Sequence, residues 1–245
     1  MTISRERTMR RRSGKHRVFA SLAVALIWGA TATITSAASL KDIYAMPNLF
    51  SWTGFYVGGQ TGAQWSQHDF ADPVYQISGN SSSSGFIGGG HVGFNWQYGR
   101  IVTGLEADFE WTDASGSGLA YWAGRGAALG EYGTFDTKWQ ASLRARLGVV
   151  TNSTLFYVTG GAAWSRNEFT YFGNTDNITR TVPGWTIGGG IEHMLAYNWI
   201  AKFEYRYSDF EQTRGSIINC CAGPPNFQVH SLETHAIRSG FSYKF

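Results

Sequence analysis

Few residues of this 245-residue chain are spaced as catalytic chemistry would need. Gly88-Gly89-Gly90-His91-Val92-Gly93 fits the G-x-G-x-x-G pattern of a dinucleotide loop. That chemistry requires a helix N-terminus to hold the pyrophosphate, whereas Phe94 to Tyr98 alternates as a strand. The glycines read instead as positions where a strand curves and leaves space beside it. The histidines at 16, 68, 91, 193, 230 and 235 form neither His-x-x-x-His nor His-Glu-x-x-His, so no metal-ligand spacing is present. His91 is expected in a polar interior, and His230 and His235 lie near the last loop, where a haem ligand is conceivable. His235 and Ser239 are four apart on one face of a strand with no obvious acid to orient the base, so they do not make a triad. Cys220 and Cys221 are adjacent, and three states compete: a strained vicinal disulfide, two free thiols, or pairing with another chain. The expectation is therefore no enzyme, no cofactor and no metal.

Charge at alternate positions is the stronger signal. Glu106, Asp108 and Glu110 share one face of a strand whose other face is Ile101, Thr103, Leu105, Ala107, Phe109 and Trp111. A later segment mirrors it, with Lys138, Gln140, Ser142, Arg144 and Arg146 against Trp139, Ala141, Leu143, Ala145, Leu147 and Val149. Glu192, Lys202, Glu204, Arg206, Arg238 and Lys244 extend the pattern, giving five acids and seven bases on the polar faces. A period of two is a strand. In a soluble sandwich the charged faces would meet water; in a barrel in lipid they turn inward and must pair.

Eight such strands can be traced, at about 52–65, 86–98, 101–111, 138–149, 155–164, 185–194, 201–208 and 235–245. The connections at 99–100, 151–154 and 195–198 are short, and those at about 66–85, 112–134, 166–184 and 209–232 are long. Strict alternation puts all long connections at one end, the layout of an eight-stranded antiparallel transmembrane up-and-down β-barrel with short periplasmic turns. Trp65, Phe86, Trp111, Trp139, Trp164, Trp185 and Tyr207 are expected in one aromatic girdle. Trp52, Trp96, Tyr98, Tyr197, Trp199, Tyr243 and Phe245 are expected in the other. Ile101 to Trp111 rises about 25 Å along the axis at a tilt near 40°, the height of the expected apolar band. An eight-stranded lumen is just wide enough for side chains to fill, so a plugged barrel is expected.

The N-terminal segment supplies the compartment. Residues 1–17 hold seven bases and one acid, Val18 to Ser39 is uncharged, and Ser36-Ala37-Ala38 is a small-x-small site. This is the layout of a signal peptide, with cleavage expected near Ala38 and a periplasmic lead at 39–51. Removal of 1–38 leaves 13 bases against 16 acids, so the net charge changes from +3 to −3 and the case for nucleic acid disappears. No run of the remaining chain reaches 18 apolar residues, so no spanning helix is expected.

A family resemblance rests on particular segments. Trp52-Thr53-Gly54-Phe55-Tyr56-Val57-Gly58-Gly59 resembles the opening strand of the small alphaproteobacterial outer-membrane proteins, often called porin-family or outer-membrane immunogenic proteins. Gly104-Leu105-Glu106-Ala107-Asp108, Ser142 to Gly148, Gly184 to Glu192 and Lys202 to Tyr207 are similar to the same group, so the resemblance spans 52–245. The alternation of Ile237, Phe241, Tyr243 and Phe245 resembles the assembly signal by which such barrels meet the barrel-assembly machinery. The resemblance implies an outer-membrane location, contact with lipids and lipopolysaccharide, envelope stability and surface antigenicity. Some members are described as haem-binding or adhesive. Some outer-membrane barrels of this size modify lipid A, but they need a Ser/His/acid set at the outer rim.

Function is expected in the loops, where Ser81 to Ser84, Trp122, Arg125, Tyr171-Phe172, Cys220-Cys221 and Pro224-Pro225 are varied and form no catalytic set. A structural and surface-interaction protein, binding host or environmental molecules at its tips, is favoured over an enzyme. A narrow porin for small solutes and haem or ligand binding by the loops are the alternatives. A further reading leaves the loops merely covering the mouth of a barrel that serves envelope integrity.

Overall fold

The computed structural model describes residues 51–72, 77–122, 128–171, 177–195, 198–217 and 226–245. The expected signal peptide and almost all of the lead lie outside them, as do Arg125, Phe172, Tyr197, Cys220-Cys221 and Pro224-Pro225.

The described residues form nine strands: β1 (Gly54–Asp72), β2 (Ile77–Tyr98), β3 (Ile101–Thr112), β4 (Ser115–Trp122), β5 (Ala128–Thr151), β6 (Thr154–Tyr171), β7 (Asn177–Met194), β8 (Trp199–Ile217) and β9 (Asn226–Lys244). They close into an antiparallel ring, because β1 pairs with both β2 and β9. The ring has eight staves, since β3 and β4 are two halves of one. β3 pairs with β2 up to Ile87↔Thr112, and β4 resumes the pairing at Ser84↔Ser115. Both halves also pair with β5. Asp113 and Ala114 interrupt the stave. Asp113 exchanges bonds with Phe86, its Oδ1 accepting the Phe86 N–H at 2.6 Å. Closure leaves no free sheet edge over the apolar band, which is how strands cross lipid.

Residue type explains the turns. At the short-turn end Gly99 (φ 61°), Asn152 (φ 55°) and Asn198 (φ 70°) take the left-handed conformation that glycine and asparagine accept at least cost.

At the other end the structure corrects the sequence reading. The stretches expected as long loops are mostly strand: β1 runs on to Asp72, β5 starts at Ala128, β6 ends at Tyr171 and β8 ends at Ile217. Ser81 to Ser84 lie within β2, Trp122 ends β4 and Tyr171 ends β6. Gly, Ser and Asn read as breakers, but cross-strand pairing with a neighbouring stave overrides such local preferences. The 24 residues of β5 rise about 60 Å along the axis, more than twice the apolar band.

The outer wall is apolar where lipid would touch it. Phe86 is 73% exposed, Trp111 64%, Leu143 54% and Phe241 59%. Ile237, Tyr243 and Phe245 of the terminal strand also face outward. Trp65, Trp164 and Trp185 mark one rim, and Trp96, Tyr98 and Trp199 the other. Trp52 departs from the girdle expected for it. It is fully buried inside the short-turn end, among Val102, Val150, Leu155, Tyr157, Met194 and Ile200. Its backbone N–H donates to Gln97 Oε1 at 2.6 Å, which turns the chain into the barrel before β1 begins.

Candidate functional site

Above this apolar floor the lumen is filled by charge. Five acids (Glu106, Asp108, Glu110, Glu192, Glu204) and five bases (Arg144, Arg146, Lys202, Arg206, Arg238) are buried there, so the layer is formally neutral among the described residues. Their strands place them by alternation alone: β3 supplies three acids, β5 two arginines, and β8 Lys202, Glu204 and Arg206.

The contacts cross the lumen as well as joining neighbouring staves. Arg144 bonds Glu106, reaches Asp108 Oδ2 at 2.8 Å and reaches Glu204 Oε1 at 3.0 Å. Arg146 spans Glu106 at 3.2 Å and Glu192 at 2.6 Å. Lys202 Nζ donates to Glu106 at 2.7 Å. Arg206 bridges Asp108 at 3.0 Å and Glu204 at 2.8 Å. Arg238 Nε and Nη2 each lie 2.8 Å from one oxygen of Glu110, a bidentate pairing of guanidinium and carboxylate. Glu106 thus faces three cations, which offsets the cost of burying its charge.

Neutral partners complete the layer. The Tyr56 hydroxyl donates to Glu106 at 2.8 Å and accepts from Arg146. The Tyr157 hydroxyl donates to Glu204 at 2.7 Å, and the Arg146 guanidinium lies 4.2 Å from the centre of the Tyr157 ring. Gln60 donates to Glu110 at 2.9 Å and Ser142 to Asp108 at 2.6 Å. Gly93 makes room for this arrangement, because a Cβ there would collide with the Tyr56 hydroxyl. Gly190 does the same for Tyr157, whose hydroxyl would lie 2.7 Å from the added carbon.

Two residues expected in this layer lie elsewhere. Lys138 sits on the outer surface, 3.2 Å from Glu168 and 3.4 Å from Asp136. A β-bulge is the reason. Thr137 pairs with Asn167 and Trp139 with Arg166, so Lys138 is the extra residue and the alternation slips by one. Lys244 lies at the short-turn rim, its Nζ 3.3 Å from the Thr53 carbonyl oxygen. The last stave has already reached the mouth there.

Sequence reasoning left Tyr56, Gln60 and Tyr157 out of the charged layer. Tyr56 and Gln60 share the inward parity of β1, whereas Tyr157 lies on a strand with both faces apolar or small.

The motif residues fall in the wall. Gly88 to Gly93 are central in β2, and His91 points inward with Nε2 2.7 Å from Ser242 Oγ. His235 points outward. Its Nδ1 is 2.7 Å from the Tyr205 hydroxyl, and its ring stacks on Trp65 at 5.9 Å. Ser239 lies on the same outward face, four residues further along β9. No group of three or more His, Cys, Asp or Glu residues arranged to hold a metal occurs among the described residues.

Towards the tips the interior is mixed, with Ala163, Val182, Phe210 and Leu232 in one buried cluster beside the buried Ser66, His68, Ser83 and Ser165. Phe135 and Phe169 pack at 4.3 Å on the same inner face. The lumen is therefore layered: an apolar floor, a neutral charged layer and an upper part that mixes apolar and polar side chains.

Comparison with known proteins agrees with this architecture. The profile of the outer membrane protein beta-barrel domain matches residues 29–245. The chain is 32% identical over 217 residues to the 31 kDa outer-membrane immunogenic protein of Brucella melitensis, covering 81% of this chain and 85% of that one. It is 31% identical over 163 residues to the 22 kDa outer membrane protein of Rhizobium leguminosarum, covering 66% and 65%. In three dimensions it is similar to the outer membrane protein OprG of Pseudomonas aeruginosa, with a TM-score of 0.56 at 16% identity, covering 79% of this chain and 96% of that one. At that identity the likeness concerns the fold alone.

Proposed function

Because the chain belongs to the outer-membrane β-barrel protein family and resides in the outer membrane, we propose that it is a closed structural barrel that presents a rigid surface outside the cell. The observation that carries this reading is the neutral layer of ten buried charges above the Trp52 floor. Mutual pairing stabilises the charges only while the lumen stays filled, since an unpaired buried charge is costly. A plugged interior supports a role in envelope integrity over solute permeation, and the assignment includes no catalytic step.

The second element is the wall above the outer girdle. It stands on staves continuous with the membrane band, so whatever the tips contact is held on a stiff scaffold. The Brucella relative is named an immunogenic protein, which fits a surface that stands clear of the lipid. Lipopolysaccharide would pack along the outward aromatic and aliphatic band, and host or environmental molecules would meet the tips. The terminal strand, with Ile237, Phe241, Tyr243 and Phe245 outward, would be the element offered to the barrel-assembly machinery.

A deletion strain tests the division of labour. Detergent sensitivity rescued by a barrel trimmed above the girdle supports envelope integrity as the main role. A binding or adhesion defect restored only by the full-height wall assigns the role to the surface. Detergent resistance unchanged by deletion would remove the envelope reading.

A further inference from the structure

Cross-strand register sets a row of hydroxyls inside the upper barrel. Thr186 pairs with Ser208, Ser208 with Thr234, Thr234 with Ser66 and Ser66 with Ser83. Consecutive staves β7, β8, β9, β1 and β2 thus contribute one each, and every one is buried. The lower end joins the charged layer, because Thr186 pairs with Gly161 and Gly161 with Arg144. The upper end passes the girdle, since Ser66 and Ser83 lie beyond Trp65 and Phe86. Strands about 4.8 Å apart and tilted near 40° displace the row by about 3 Å along the axis at each stave, so it climbs about 12 Å.

Beside this row lie buried polar atoms with no partner among the described residues, gathered around Glu110. Arg238 gives Nε and Nη2 to Glu110 and leaves Nη1 unused. Gln60 gives Nε2 to the same carboxylate and leaves Oε1. Gln140, opposite Glu110 in the ladder, leaves Nε2. Gln64 donates to Ser66 at 3.3 Å and leaves Oε1. All four side chains are more than nine-tenths buried, where an unmade hydrogen bond is costly. The adjacent staves β6 to β9 carry only short inward side chains at this level: Ala163, Ser165, Thr186, Ser208, Thr234 and Ala236. Long side chains fill an eight-stranded lumen, and these fill less of it. One pleat nearer the mouth, Phe210 and Leu232 follow Ser208 and Thr234 and add an apolar surface.

We propose that the upper lumen is a blind well that binds a small uncharged polyhydroxylated ring of monosaccharide size, with Gln60, Gln64, Gln140 and Arg238 as its polar contacts. The chemistry follows from the unused atoms. Two are donors and two are acceptors, and a hydroxyl serves both. Arg238 is already neutralised by Glu110, so a charged ligand would be buried without a partner. The C–H face of a ring suits Phe210 and Leu232, and the climbing hydroxyls exchange hydrogen bonds with it along the way in. The proposal rests on the reading of the barrel as a surface-interaction protein closed below, and names the class of molecule it would meet.

The test uses the purified full barrel in dodecylphosphocholine micelles, which carry no sugar, with methyl β-D-glucopyranoside as the probe. Saturation-transfer NMR reads contact between protein and probe. Wild type should transfer saturation to the ring protons, and glucose 6-phosphate should bind at least tenfold more weakly. Gln140→Leu removes an unused donor and should weaken binding about tenfold. Ala236→Phe fills the space and should abolish it. Heat-modifiable gel mobility shows which variants have folded, and Gln140→Leu keeps the test open if Ala236→Phe does not assemble. No transfer in folded wild type would overturn the proposal and leave the polar atoms to water. Unchanged binding in every folded variant, or tighter binding of glucose 6-phosphate, would also overturn it. Liposome swelling separates this result from the closed barrel: binding without swelling supports a blind well, whereas swelling in the glucoside would overturn the well and the closed barrel together.

Discussion

Arg144 on β5 and Glu204 on β8 meet at 3.0 Å across the lumen, although two staves separate their strands. Such a bond ties opposite walls together, which a ladder hydrogen bond cannot do. It makes the filling of the barrel part of its stability.

Glu106 faces three cations, Arg144, Arg146 and Lys202. Glu106→Gln leaves those cations one negative charge short in a buried layer. Loss of a buried partner costs about 3–5 kcal/mol, so the midpoint of denaturant unfolding in detergent micelles should fall markedly. An unchanged midpoint would mean that water enters freely and screens the layer.

Lys138 supplies the contrast. It is on the outer surface, with its side chain 47% exposed. Lys138→Ala should shift stability by no more than about 1 kcal/mol, the usual range for exposed ion pairs. An effect as large as that of Glu106→Gln would return Lys138 to the lumen and remove the bulge that places it outside.

The floor can be tested separately. Trp52→Ala removes the largest fully buried side chain from the cluster with Leu155 and Ile200. The cost expected for emptying such a site is about 3–5 kcal/mol. A variant as stable as wild type would show that the tryptophan is not seated in the mouth.

How much of this was legible in the chain depends on where alternation stays regular. The faces of β3 gave Glu106, Asp108 and Glu110 their inward direction, because nothing interrupts the period of two between Ile101 and Thr112. Lys138 was misassigned because a bulge adds one residue to one strand, and its position is set by the partner rather than by the local sequence. Trp52 looked like a girdle residue by type. Only the bond from its N–H to Gln97, 45 positions away, shows the chain turning inward. The tall wall was hidden for a similar reason: Ser81 to Ser84 have loop-forming side chains, yet β1 and β4 hold them in a ladder.

In the proposed closed barrel, ten paired charges above the Trp52 floor leave no path for ions. Single-channel recording of the purified full barrel in planar bilayers tests it most directly. Wild type should give a flat baseline, with ion-conducting steps appearing only when Trp52→Ala and Glu106→Gln are combined. Steady steps of the size given by an open water-filled porin, in the wild-type protein, would contradict it.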